Sequence, residues 1–112
     1  MKNLEEVIAL IPELHRDDLE RWMRGALVEV AEQSGTASFS EIQFARIRLI
    51  CTLRYDMDVE EETLPVVLDL LDQLHDTRQR LYTLSHAVLA QDEDVKAAVL
   101  EALAQTRRSR RG

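Results

Sequence analysis

The stretch "TLPVVLDLLDQLHDTRQRLYTLSHAVLAQ", residues 63–91, constrains the fold of this chain more than any other. Leu70, Leu74, Thr77, Leu81, Leu84 and Val88 step alternately by four and three, which is a coiled-coil seam sustained over more than two heptads. Pro65 fits only in a first helical turn, so the helix is expected to start near Thr63. A seam of this length needs cover. A second copy lying antiparallel would bury the row in a homodimer. The alternative is packing within the chain against residues 95–103. There a last helix, capped by Asp92, places Val95, Ala98, Val99, Ala102 and Leu103 on one face. The persistence of the register favours the homodimer.

Upstream, the elements are shorter. "NLEEVIAL" reads as a helix with Asn3 as N-cap and a stop near Pro12. Leu14 to Arg24 forms a second helix, with Asp17 or Asp18 near its start. Leu19, Trp22 and Met23 share a face, and Gly25 supplies a turn. Leu27–Val30 is β-prone, "EQSG" reads as a turn and "TASF" as a return strand, which together make a small hairpin. Ser40 caps a third helix in which Ile42, Ala45, Arg46, Leu49, Ile50 and Leu53 hold helical spacing to about Tyr55. "DMDVEEE" is a polar break. The order is that of a winged helix-turn-helix followed by a dimerisation helix, in a mainly all-α chain. Residues 1–58 would form the helix-turn-helix and wing, and residues 59–106 the long and C-terminal helices of the same single domain. Residues 107–112 would form a disordered basic tail.

Composition narrows the partners. The 112 residues are 46% hydrophobic and 31% charged, with three glycines and two prolines, as expected of a compact helical protein. The formal net charge is −7. Four of the 14 basic residues, Arg107, Arg108, Arg110 and Arg111, crowd the C-terminus, so the other ten face all 21 acidic side chains in the preceding chain. A body of that sign repels phosphate backbones and favours a basic protein surface. No apolar run approaches the roughly 18 residues of a membrane span, and Glu5 and Glu6 interrupt any signal-peptide core. Cys51, the one cysteine, lies in the apolar "RLICTL" and reads as a buried packing residue. A cytoplasmic protein is expected.

With that order in place, the chain resembles the MerR superfamily. "LERWMRGALV", Leu19 to Val28, is similar to the aromatic helix and Gly-containing turn of its helix-turn-helix, and "FSEIQFARIRLICTLRYDMDV" is similar to its following helix. The resemblance covers about residues 4–89. Within the superfamily the chain looks most like the CbpM chaperone-modulatory proteins. Gly25, Leu27, Val28, Asp58, Val59 and the run Val67 to Leu81 carry the match. The resemblance implies an adaptor that binds the J-domain of a DnaJ-like co-chaperone of the CbpA type and inhibits its stimulation of Hsp70. The alternative is a MerR-family transcriptional regulator. An adaptor for some other basic partner is a third reading.

Candidate residues follow from charge and spacing. Asp69, Asp72 and Asp76 fall at i, i+3 and i+7 as an acidic ridge beside the apolar row, preceded by Glu60, Glu61 and Glu62. A basic J-domain helix would meet carboxylates there, with steering from charge and affinity from apolar anchors. Trp22, the only tryptophan, is either a core anchor or an exposed partner-binding residue. For DNA the candidates are Arg16, Arg21 and Arg24, but Asp17, Asp18 and Glu20 are interleaved with them. The wing region "EVAEQSGTAS" has two glutamates and no Lys or Arg, so nucleic acid is not the expected ligand. His15, His75 and His86 lie far apart, with Asp72 at i−3 from His75, and no phosphate loop or nucleophile triad occurs. No enzyme activity, metal, cofactor or membrane partner is expected.

Overall fold

The computed structural model describes residues 1–111. The protein is mainly helical, with a small antiparallel sheet: β1 (Lys2–Asn3), α1 (Leu4–Leu10), α2 (Arg16–Arg24), β2 (Ala31–Gln33), β3 (Thr36–Phe39), α3 (Glu41–Cys51), α4 (Leu64–Leu89) and α5 (Glu93–Arg111). The chain divides into two compact units, Met1–Leu70 and the residues from Leu71 onward. The boundary falls inside α4, and not at the polar break after residue 58 where the sequence suggests a division. Leu64 and Leu68, in the first turns of α4, are both buried and bind that segment into the first unit.

In the first unit, local sequence signals account for most of the helix ends. Asn3 Oδ1 accepts the Glu6 amide at 2.9 Å, and Glu6 Oε1 accepts the Asn3 amide at 3.2 Å. This capping box satisfies two otherwise orphaned donors. Pro12 cannot extend α1, so Leu14 lies in a turn closed by its amide on the Ile11 carbonyl. It is buried there, two residues short of the helix expected to contain it. Ser40 caps α3 by accepting the Gln43 amide, as expected. Beyond Cys51 the helix widens into a π-helical turn, Thr52–Asp56, which re-aims Arg54 and Tyr55.

The hairpin is displaced from its expected position. Ser34 and Gly35 both adopt positive φ, 53° and 78°, as a two-residue type I′ turn requires. That turn pairs Gln33 with Thr36, Glu32 with Ala37 and Ala31 with Ser38, so the first strand is Ala31–Gln33 and Leu27–Val30 is not a strand. Val28 is buried in the core instead. Lys2–Asn3 adds a strand on the other edge of β3, with Lys2 opposite Phe39 and Asn3 opposite Ser38. Ser38 is buried and satisfied, its hydroxyl donating to the Ala31 carbonyl at 3.1 Å.

Trp22, Phe39, Leu19, Ile47, Ile50 and Val7 are the interior of this unit. On α3 the buried set is Ile47, Ile50 and Cys51, while Ile42 is 78% and Leu49 38% exposed. The row expected through Ile42 and Leu49 is therefore rotated. This helix is apolar on more than one side, so periodicity alone does not choose the core face. Arg46 of that row is half-buried, and its Nε donates to the Leu27 carbonyl at 2.5 Å.

The second unit holds the rest of α4 and all of α5. Asp92 Oδ1 accepts the Val95 amide at 3.0 Å and caps α5 as expected. Helix continues through the arginines to Arg111, which corrects the disordered tail expected at 107–112; Gly112 lies outside the described residues. Within this unit no described side chain is buried. The alternative packing of the seam against residues 95–103 of the same chain is not formed, since Leu81, Leu84, Leu100 and Leu103 all stay more than half exposed.

The turn after α2 places its left-handed residue one position later than the glycine. Gly25 has φ −81°, whereas Ala26 has φ 59°. Ala26→Gly is therefore expected to stabilise the protein by roughly 0.5–1 kcal/mol. A Cβ on Gly25 would lie 3.4 Å from the Arg21 carbonyl oxygen, an ordinary contact, so Gly25→Ala should change stability by less than about 0.5 kcal/mol. Gly35→Ala, at φ 78°, should cost about 1 kcal/mol. Urea unfolding of the three variants checks all of these.

Candidate protein-binding site

Three segments of the first unit converge on one carboxylate. Helix α2 contributes Asp18, Arg21 and Trp22, the π-turn after α3 contributes Arg54 and Tyr55, and the loop before α4 contributes Glu61. Arg21 Nη1 and Arg54 Nε donate to Glu61 Oε1 at 2.9 and 3.3 Å, and Trp22 Nε1 donates to Glu61 Oε2 at 3.2 Å. Arg21 also reaches Asp18 Oδ1 at 3.0 Å. The Tyr55 hydroxyl donates to Asp18 Oδ2 at 2.5 Å and accepts the His15 amide at 3.3 Å. The Tyr55 ring stands edge-on to His15, with centroids 5.7 Å apart.

Burial decides what these groups can do. Trp22 is 1% exposed, so it anchors the core and is not the exposed partner-binding residue that its rarity suggests. Its indole N–H needs an acceptor once buried, and Glu61 provides it. Glu61 is consequently half-buried and already paired, which removes it from the acidic surface offered to a partner. Glu60 and Glu62, on either side, are exposed. Beside them lies a shallow groove of about 250 Å³ lined by Arg21, Trp22, Gly25, Leu27, Glu61, Glu62 and Pro65. Its character is a hydrophobic floor with an acidic rim.

The DNA candidates are largely spent on neighbours. Arg16 is paired with Glu5, which raises its pKa through that hydrogen bond and the adjacent charge. Arg21 is held by Asp18 and Glu61. Arg24 is exposed at the end of α2. The hairpin Ala31–Phe39 carries Glu32 and no Lys or Arg.

On α4, Asp69, Asp72 and Asp76 are all exposed. At 3.6 residues per turn their mean direction lies about 125° around the helix from that of Leu70, Leu74, Thr77, Leu81, Leu84 and Val88, with Leu84 the nearest at about 90°. The ridge flanks the apolar row without entering it. Of the seam residues, Leu70, Leu74, Leu81 and Leu84 are 47–63% exposed, Thr77 is exposed and Val88 is half-buried. Among the described residues no cluster of three His, Cys, Asp or Glu side chains is placed to hold a metal, and no helix is long and apolar enough to cross a membrane.

The ion pairs around Glu61 were not readable from the sequence, since Arg21 and Glu61 stand 40 positions apart. One signal did exist. A lone tryptophan on an amphipathic helix requires an acceptor for its N–H, and "DVEEE" is the carboxylate cluster able to supply one.

Glu61→Ala is expected to destabilise the first unit by roughly 1–3 kcal/mol, because it leaves a buried indole N–H unpaired. Glu62→Ala should cost less than about 0.5 kcal/mol. Thermal unfolding and the indole N–H resonance of Trp22 distinguish the two. Cys51 is 2% exposed, and burial followed by the nearby carboxylates Glu13 and Asp18 pushes its thiol up to about 12. Native protein should therefore resist a thiol reagent at pH 8 that labels it readily in urea. Burial and the Asp18 hydrogen bond raise Tyr55 in the same direction. Both groups keep their protons longer when folded. Their contribution to stability is complete below the unfolded-state values, from roughly pH 8.5 for the thiol, and is lost as pH rises toward the folded-state values. Denaturant midpoints measured from pH 7 to 11 should fall across that window.

No protein-family profile, curated protein or solved structure matches this chain.

Proposed function

We propose that the protein is a homodimeric adaptor of the CbpM type, built on a MerR-like winged helix-turn-helix frame, that binds the basic face of a J-domain co-chaperone and lowers its stimulation of Hsp70. In this reading α1 and α2 are the helix-turn-helix, β2 and β3 the wing, and α4 the dimerisation helix whose exposed leucines are covered by a second copy. The fate of the α2 arginines carries it. A frame that reads DNA presents cations to phosphates, whereas here Arg16 and Arg21 are consumed by Glu5, Asp18 and Glu61. Exposed carboxylates are plentiful: Glu62 lines the groove, Glu60 is exposed two residues before it, and Asp69, Asp72 and Asp76 are exposed on α4. Such a surface attracts a basic helix over long range, and the apolar groove floor supplies contact area.

Binding of the purified protein to a J-domain fragment, and separately to duplex promoter DNA, tests this at physiological salt. A micromolar J-domain complex and no specific DNA complex are expected. Tight, strongly salt-dependent DNA binding without a J-domain complex would instead assign a MerR-type regulator. The triple substitution Asp69→Lys, Asp72→Lys and Asp76→Lys should weaken co-chaperone binding about tenfold, from several small surface terms acting together. It should spare self-association, since none of the three aspartates belongs to the leucine row of α4. Unchanged affinity would move the interface to the α2 groove.

A further inference from the structure

We infer that the C-terminal half of α5 docks on an anionic lipid surface, its arginines meeting headgroup phosphates and Leu103 reaching the acyl boundary beneath them. The placement of charge carries the argument. Glu101 is the last acidic residue of the chain, so residues 102–112 bring four arginines and no acidic side chain. A disordered tail, as the sequence suggests, would have no face. Helix α5 continues to Arg111 and gives these residues one. Arg107, Arg108 and Arg110 are exposed and have no ion-pair partner among the described residues. Arg16, Arg21 and Arg54 differ, each being tied to a carboxylate within the first unit.

Spacing fixes what that face offers. Leu100, Leu103, Arg107 and Arg110 fall at i, i+3, i+7 and i+10, within roughly 80° of one another around the helix. Arg108 flanks them at about 100° from Arg107, while Glu101 lies about 120° round on the same side. Glu101 is also engaged, accepting from Gln105 Nε2 at 3.2 Å. Leu100 and Leu103 are 65% and 55% exposed, so the apolar part of the stripe runs directly into the basic part. Arginines clustered on an amphipathic helix are what an anionic leaflet attracts, the guanidiniums staying at the phosphates while adjoining leucines enter the interface. Nucleic-acid phosphates would use the same cations but have no use for leucines aligned with them. The rest of the chain sets ten basic residues against 21 acidic ones and is repelled by the same leaflet, which confines contact to this end of α5. This is surface attachment and not a span, since no helix among the described residues is long and apolar enough to cross a membrane.

Co-sedimentation of the full chain with vesicles of equimolar phosphatidylglycerol and phosphatidylcholine tests the docking. Binding is expected at low salt, lost at high salt, and absent with pure phosphatidylcholine. At roughly fivefold per cation, Arg107→Gln, Arg108→Gln and Arg110→Gln combined should weaken it about a hundredfold. Leu103→Ser should weaken it several-fold. Both variants should keep the Trp22 emission of the first unit, since all four substituted residues are exposed. Vesicle binding that is absent, or that survives the triple substitution, overturns the docking. Duplex DNA at matched phosphate concentration is the second arm. DNA binding lost with the triple substitution, beside vesicle binding indifferent to Leu103→Ser, overturns the lipid assignment and gives the arginines to nucleic acid. J-domain binding is a separate measurement and bears on neither arm.

Discussion

The carboxylate of Glu61 is the interaction on which the first unit turns. It accepts the indole N–H of Trp22, the largest side chain of the core, and two guanidiniums from different segments. Removing Trp22 from water requires that acceptor, and a half-buried carboxylate requires those cations. One residue therefore fastens α2, the π-turn and the approach to α4 to each other. The same pairing withdraws Arg21 from any phosphate that α2 might otherwise meet. Structural satisfaction and loss of a basic surface are here the same event.

The two units differ in how they meet the requirement to bury apolar surface. The first encloses Trp22, Phe39, Leu19 and three isoleucines, and its one buried polar side chain, Ser38, is hydrogen-bonded. In the second, leucines at 81, 84, 100 and 103 remain open to solvent although their helices are well formed. Exposed apolar rows of that extent mark interaction surfaces. The aspartates at 69, 72 and 76 stand apart from the α4 leucines around the helix, so the two sets do not share a face.

How much was legible in the sequence varies with the range of the interaction. The capping box at Asn3, the Ser40 and Asp92 caps, the position of Pro65 and the long α4 all follow from residues within four positions of each other. The displaced hairpin, the rotated face of α3 and the added strand β1 do not. In each case the local signal was compatible with two answers. Leu27–Val30 has strand propensity, but the Ser34–Gly35 turn fixes the register and hands Val28 to the core. For the candidate site, the exposed ridge at 69, 72 and 76 and a core role for Trp22 were readable from helical spacing, whereas the pairing and partial burial of Glu61 were not.

Sequence by itself determined the helices, their caps, the acidic balance and the existence of an apolar seam, because these depend on backbone propensity, nearby side chains and composition. Only the tertiary structure decided which charges remain available. Arg16, Arg21 and Glu61 look like surface candidates in one dimension, yet Arg16 pairs with Glu5 11 residues away and Arg21 with Glu61 40 residues away along the chain. Coulombic pairing acts through space and ignores sequence separation. The short helices could thus be read from their residues, but the pairing of Arg16 with Glu5 and of Arg21 with Glu61 appeared only once the chain was folded.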